Sequence, residues 1–267
     1  MANIIEITDL SAPEIAVYCS LTRRQAAQEN LFVAESDKAI LSAMEAGIRP
    51  VSVLCERKFI ETRAAQVISR AGDIPVYTAD TSVLTALTGY ELSRGVLCAM
   101  ERPKEKTFGQ AVENARTVAV LEDLNDPTNA GAIFRSAAAL GVDAVLLKDS
   151  CIDCYSRRCV RVSMGNVFRL PIAKVGDAEL TRLKTMGFTT VALALTDRSV
   201  PVCDPSVTKA DKVALILGSE GNGLKETTVA QADITAKIPM TKGVESLNVA
   251  AAAAVAFWTV FSARGLT

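Results

Sequence analysis

Three clusters in this sequence have residue types and spacing suited to chemistry. The first is Asn125-Asp126-Pro127-Thr128-Asn129-Ala130-Gly131, continuing to Arg135. Asp126-Pro127 marks a turn, and a helix is expected to start near Asn129. Gly131 would admit a ligand or another backbone closely. Arg135 offers a planar cation to a phosphate or carboxylate. A helix cap followed by a surface arginine accounts for the same residues without function. The second cluster, Leu217-Gly218-Ser219-Glu220-Gly221-Asn222-Gly223, has three glycines in six residues after an apolar run. Such a tight loop exposes its amides to phosphates or nucleosides. Its spacing is neither the dinucleotide fingerprint nor a P-loop. A plain connecting loop is the alternative. The third cluster starts at Ile238-Pro239-Met240 and ends at Ser246-Leu247-Asn248-Val249. Pro239 should stop sheet pairing, and Ser246 resembles an N-cap. Ser246 and Asn248 would then present polar groups at a helix N-terminus, where electron-rich ligands are favoured.

The elements that must position these clusters can be read from apolar patterning. Up to residue 104 there is a helical pattern over 13–30, and strands over 31–34, 51–55, 74–77 and 95–100. Helices are expected from Ser36 through Met44, and over 59–70 and 82–87. The charged stretch 101–107 reads as a linker. Beyond it, short apolar runs at 117–121, 144–147, 190–195, 213–217 and 234–238 alternate with helical segments at 130–140, 178–186 and 224–231. A last helix starts near Ser246. This pattern predicts an α/β chain of two domains, 1–104 and 105–267. The second is built on a mostly parallel sheet covered on both faces. All three clusters then follow strands, at the end of the sheet where open α/β folds bind ligands.

Composition narrows the chemistry. The chain has 267 residues, a formal net charge of −1 and no histidine. The most common general base is therefore absent, together with any histidine-based metal site or nucleophile pair. Seven cysteines are scattered without a signal-like N-terminus, which predicts reduced thiols in a cytoplasmic protein. Cys151, Cys154 and Cys159 lack the further ligands that a zinc site needs, so no metal is expected. The longest apolar run, 249–261, is too short for a membrane span of about 20 residues. Between residues 154 and 174 lie five basic residues and no acidic one. Arg157, Arg158 and Arg161 lie in this strip, which is a candidate phosphate-facing surface, and a solvated basic face is the alternative.

Taken in order, the clusters resemble the three motifs of the SpoU/TrmH methyltransferases, a branch of the SPOUT superfamily. They supply Asn129-x-Gly131 with Arg135, then Gly218-x-Glu220-x-x-Gly223, then Ile238-Pro239-Met240 leading to Ser246-Leu247-Asn248. The resemblance covers roughly residues 113–267. It implies a C-terminal trefoil-knot α/β domain that binds S-adenosylmethionine, with Gly218, Ile238 and Leu247 as backbone contacts and Met240 and Thr196 beside them. It implies methyl transfer to a ribose 2′-hydroxyl of structured RNA, ribosomal RNA ahead of transfer RNA. A homodimer would complete the active site across its interface. Arg135 would bind the adjacent phosphate and stabilise alkoxide charge, because a guanidinium is an awkward base at neutral pH. Asn129 would orient Arg135 or the ribose, and Glu220 would fix Arg135 or accept from the substrate. Ser246 and Asn248 would shape the cofactor pocket. The N-terminal part is similar to the family's ribosomal-protein-like RNA-binding extension through Phe32-Val33-Ala34-Glu35-Ser36, with Glu35-Ser36 where the family has an acidic–glycine pair. An inactive RNA-binding relative, a nucleotide- or dinucleotide-binding enzyme on a Rossmann-like sheet and a SPOUT base methyltransferase are the competing readings.

Overall fold

The structure is a computed structural model and describes residues 3–19, 30–89, 95–244 and 246–265. The chain divides into two compact units. The first is Met1–Lys104 with Tyr155–Phe168, and the second is Glu105–Cys154 with Arg169–Thr267.

The first unit is built on a five-stranded sheet: β1 (Asn3–Glu6), β2 (Leu31–Glu35), β3 (Pro50–Glu56), β4 (Pro75–Ala79) and β5 (Val96–Glu101). Its order is β1-β4-β3-β5-β2. β4 pairs in parallel with β1 and β3, and β5 pairs antiparallel with β3 and β2. Tyr18, Leu54, Leu84 and Leu97 are at the centre of its core. Ser36 caps the Asp37–Glu45 helix by accepting the Ala39 amide at 3.3 Å. The helix expected over 59–70 is shorter. A 3-10 turn at Arg57–Phe59 precedes it, and the α-helix proper is Ala65–Ala71. Of the helical pattern at 13–30, the structure describes a 3-10 turn at Pro13–Ile15 and a helix at Ala16–Cys19, and residues 20–29 lie outside the described residues.

Tyr155–Phe168, expected in the second domain, joins the first unit. The physical reason is a mixed patch on β2. Phe32, Tyr155 and Phe168 form an aromatic cluster with centroids 5.4–6.0 Å apart. The buried Glu35 carboxylate accepts from Arg161 at 3.0 Å and faces Arg157 at 3.7 Å.

The second unit carries seven parallel strands: β6 (Thr117–Leu121), β7 (Ala144–Lys148), β8 (Ile172–Val175), β9 (Phe188–Leu193), β10 (Val200–Pro201), β11 (Lys212–Leu217) and β12 (Ile234–Lys237). Their order is β10-β12-β9-β11-β6-β7-β8. The chain runs outward from β6 through β7 to β8, then returns to the other side of β6. Strand order therefore reverses beside β6 and β11, a switch point of the kind that opens a crevice at the strands' carboxyl ends. β6, β7 and most of β11 are buried along their length, as strands covered on both faces must be.

Two helices frame that end of the sheet. The Pro127–Ala139 helix starts two residues before the expected position, because Pro127 is preset for the first helical turn and Asp126 caps it by accepting the Thr128 amide at 2.7 Å. The Val249–Ala263 helix packs against it. Its cap is Asn248 and not Ser246. Asn248 Oδ1 accepts the amides of Ala250 and Ala251 at 2.9 and 3.3 Å. No helix among the described residues is long and apolar enough to cross a membrane.

Candidate active site

The glycine loop after β11 closes on itself. The Gly223 amide donates to the Ser219 carbonyl at 3.0 Å, and the Asn222 amide to Ser219 Oγ at 3.4 Å. A Cβ on Gly218 would lie 2.3 Å from the Gly223 carbonyl carbon and oxygen, so only glycine fits there. The tightness of the turn pushes Glu220 to its exposed tip.

Asn248 draws the three clusters together. Capping uses its side-chain oxygen, which aims its amide nitrogen away from the helix. That nitrogen donates to Asn129 Oδ1 at 3.0 Å and to the Glu220 carboxylate. Asn129 is 8% exposed on the first turns of the Pro127–Ala139 helix. One residue from each cluster thus shares one hydrogen-bonded group. Arg135 stays outside it. Its side chain is exposed, and it makes no hydrogen bond or ion pair among the described residues, so neither Asn129 nor Glu220 holds it.

A cleft of about 580 Å³ opens beside this group. Thr196, Gly218, Ile238, Met240 and Leu247, the five residues expected at a cofactor, all line it, with Glu220 and Ser246. Its walls are mostly apolar, from Leu193, Leu217, Leu224, Val229 and Ala252, with a few polar groups at the rim. That combination and size suit a nucleoside-sized ligand. Sequence reasoning missed Asn222, Glu226 and Lys237 at the wall. It also missed Ser199, whose hydroxyl accepts the Thr196 amide at 2.9 Å and donates to the Ala194 carbonyl at 2.8 Å, setting the loop after β9. For Asn222 and Ser199 the usable signal was position in a loop that follows a parallel strand, whereas Lys237 ends β12 and Glu226 opens a helix.

The other expected residues sit elsewhere. Arg157 and Arg161 face Glu35 in the first unit, so the basic strip is partly neutralised, while Arg158 is exposed. Cys151 donates to the Leu121 carbonyl at 3.1 Å, and burial pushes its thiol pKa up, which disfavours the thiolate. Among the described residues no group of three or more Cys, Asp or Glu side chains is arranged to hold a metal ion.

Fold and site together define an α/β ligand-binding domain whose cleft lies at the carboxyl ends of a parallel sheet. A sequence model of the SpoU rRNA methylase family matches residues 116–258, and the chain belongs to that family. An uncharacterised tRNA/rRNA methyltransferase of Mycobacterium bovis is 42% identical over 187 residues, 69% of this chain. The matched part spans 65% of that protein's length. The 23S rRNA (guanosine(2553)-2′-O)-methyltransferase of Bacillus subtilis is 26% identical over 245 residues, 91% of this chain and 92% of that protein. The crystal structure of an AdoMet-bound rRNA methyltransferase from Sinorhizobium meliloti superposes with a TM-score of 0.83 at 26% identity over 99% of each chain.

Proposed function

We propose that this protein transfers a methyl group from S-adenosylmethionine to a ribose 2′-hydroxyl of structured RNA, ribosomal RNA ahead of transfer RNA. The observation that carries this reading is the meeting of Asn129, Glu220 and Asn248 beside the cleft lined by Thr196, Gly218, Ile238, Met240 and Leu247. The cleft fits the cofactor in volume and in its apolar walls, and the glycine loop leaves no room for a side chain between Gly218 and Gly223. When bound, S-adenosylmethionine would supply an electrophilic methyl group. The chain's own residues would do the rest. Arg135, exposed and unpaired, is available to grip the substrate phosphate and stabilise charge growing on the ribose oxygen. Asn129 and Glu220, held by Asn248, would fix the ribose edge, and much of the rate would come from alignment.

The same reading takes the segment after β12 as the threaded part of a trefoil knot. In support, it leaves the sheet between β10 and β9 yet brings Asn248 to both Asn129 and Glu220. It also takes the first unit as the RNA-binding part, with Arg158 an exposed contact. A second copy would cover the exposed Val255 and Trp258 on the last helix.

The test is titration with S-adenosylmethionine, followed by mapping of labelled methyl groups on ribosomal and transfer RNA. Saturable binding and 2′-O-methyl nucleosides are expected. Methyl groups found on bases would refute the ribose assignment, and absence of binding by folded, cofactor-free protein would refute the enzyme.

A further inference from the structure

Glu122 is the first residue after β6, and it is fully buried, at 0% exposure. Its backbone amide donates to the Leu217 carbonyl at 2.9 Å. Its carboxylate accepts the Lys225 amide at 2.7 Å through Oε1. Leu217 is the last residue before the glycine loop and Lys225 the first after Leu224, so one residue holds both stems of that loop. The other oxygen, Oε2, accepts from Lys148 Nζ at 2.5 Å and from Thr228 Oγ1 at 2.6 Å. Lys148 is itself buried at the end of β7, and its ammonium also meets Asp177 at 2.6 Å.

A buried ion pair is a poor source of net stability, because removing both charges from water offsets most of their attraction. What this pair supplies is direction. Three donors around one carboxylate, with the Glu122 amide on the Leu217 carbonyl, leave a single arrangement for the stems of residues 218–224. Glu122 also opens the short segment 122–126, in which Asp123 sits at φ +53° before the helix that carries Asn129. A shift of Glu122 would move the glycine loop and Asn129 together. Glu122 does not line the cleft, so it acts only through these neighbours.

We propose that Glu122, neutralised by Lys148, is a positioning residue that holds the glycine loop in the one arrangement that seats the cofactor. The identity of the cofactor rests on the methyltransferase reading, but the control of the loop does not.

The experiment compares wild type, Glu122→Gln, Glu122→Asp and Thr190→Val. Thr190 is buried in the same unit and bonds Asp233 away from the loop, so it serves as a structural control. Two quantities are read. One is amide hydrogen exchange of residues 219–225 without added ligand, and the other is the Kd for S-adenosylmethionine. Glu122→Gln should speed exchange in the loop by about tenfold and raise Kd by about tenfold. Glu122→Asp should recover part of both, and Thr190→Val should change neither even when its Tm falls as far. Unchanged loop exchange in Glu122→Gln, or equal loosening in Thr190→Val, overturns the proposal. If wild type fails to bind S-adenosylmethionine, the cofactor reading falls, and exchange alone decides the role of Glu122. If Glu122→Gln does not fold, Thr228→Val removes a single donor to the same carboxylate and carries the same comparison.

Discussion

On the proposed reading, Arg135 and Gly218 would separate catalysis from binding. Arg135 stands exposed with no partner among the described residues, outside the group formed by Asn129, Glu220 and Asn248. If it stabilises charge only as the methyl group is transferred, Arg135→Ala should leave the Kd for S-adenosylmethionine unchanged and lower kcat by about 10²–10³-fold. Arg135→Lys should recover little, because a point charge cannot grip a phosphate through two parallel bonds. Near-normal single-turnover rates in Arg135→Ala would remove it from the chemistry. Gly218 predicts the opposite pattern. The added Cβ of Gly218→Ala would meet the Gly223 backbone at 2.3 Å, so the loop must open. Cofactor affinity should fall by about tenfold or more in a calorimetric titration, while the fold persists. An alanine variant that binds as tightly as wild type would show that the loop does not form the cofactor seat. Both residues stand out in the sequence because their types are unusual for their surroundings. Ser246 and Asn248 do not separate in this way. Both are good caps two residues apart, and only the bonds to Asn129 and Glu220 select Asn248. Glu122 gave no signal at all, since an acidic residue after a strand reads as the start of a loop.

Elements were legible where burial was uniform. The runs that form β6, β7 and β11 are continuous and apolar because both faces of the sheet are covered. β8 was hidden by its four-residue length and exposed Lys174, β10 by having only two residues, and β1 by exposure along its whole length. The Asp37–Glu45 helix shows a conflict that sequence alone exposes only partly. Ser36 sits at φ +87°, ψ +144°, in backbone territory suited to glycine, yet its hydroxyl caps the helix. Replacing a serine cap by glycine costs only a few tenths of a kcal/mol, whereas such backbone strain costs about 1–3 kcal/mol. Ser36→Gly should therefore stabilise the protein by about 1 kcal/mol, read as a Tm rise of about 2–4 °C by calorimetry. A fall in Tm would mean that the cap outweighs the strain.

The junction of β6, β7 and the Glu226–Gln231 helix makes a pH prediction. Burial pushes the Glu122 carboxyl up, but bonds from Lys148, Thr228 and the Lys225 amide outweigh it and hold its pKa below the usual range. Burial likewise pushes the Lys148 ammonium down, and bonds to Asp177 and Glu122 outweigh that and raise it. The carboxylate's contribution is present above its unfolded pKa and lost as pH falls through the lower folded value. The ammonium's contribution is present below its unfolded pKa and lost as pH rises through the higher folded value. The Tm difference between wild type and Glu122→Gln should thus be constant from about pH 5 to 9 and shrink below about pH 4. A difference that widens on acidification would contradict the ion pair.

At the scale of the whole molecule, the least legible fact was the membership of residues 155–168. Their place in the first unit depends on Glu35 meeting Arg161, 126 residues away, and on Phe32 meeting Tyr155 and Phe168. Local pattern carries no trace of pairings at that separation. The proposed association with a second copy belongs to the same scale. On the last helix, Val255 and Trp258 are 39% and 56% exposed, an apolar pair one turn apart. The helix beneath carries Arg135, also exposed. An exposed tryptophan beside the helix that carries Arg135 would fit an interface with a second copy, which would add its own groups near Arg135. Trp258→Glu places a charge in such an interface and should weaken dimerisation by about 30-fold or more. Light scattering should then report a dimer for wild type and a monomer for the variant at micromolar concentration. S-adenosylmethionine should still bind the monomer, because the cleft is lined by one chain. Methyl transfer should fall with the dimer fraction and return at high protein concentration. Full activity in a monomeric Trp258→Glu would show that a single copy holds the complete site, and a monomeric wild type would leave Trp258 without this role.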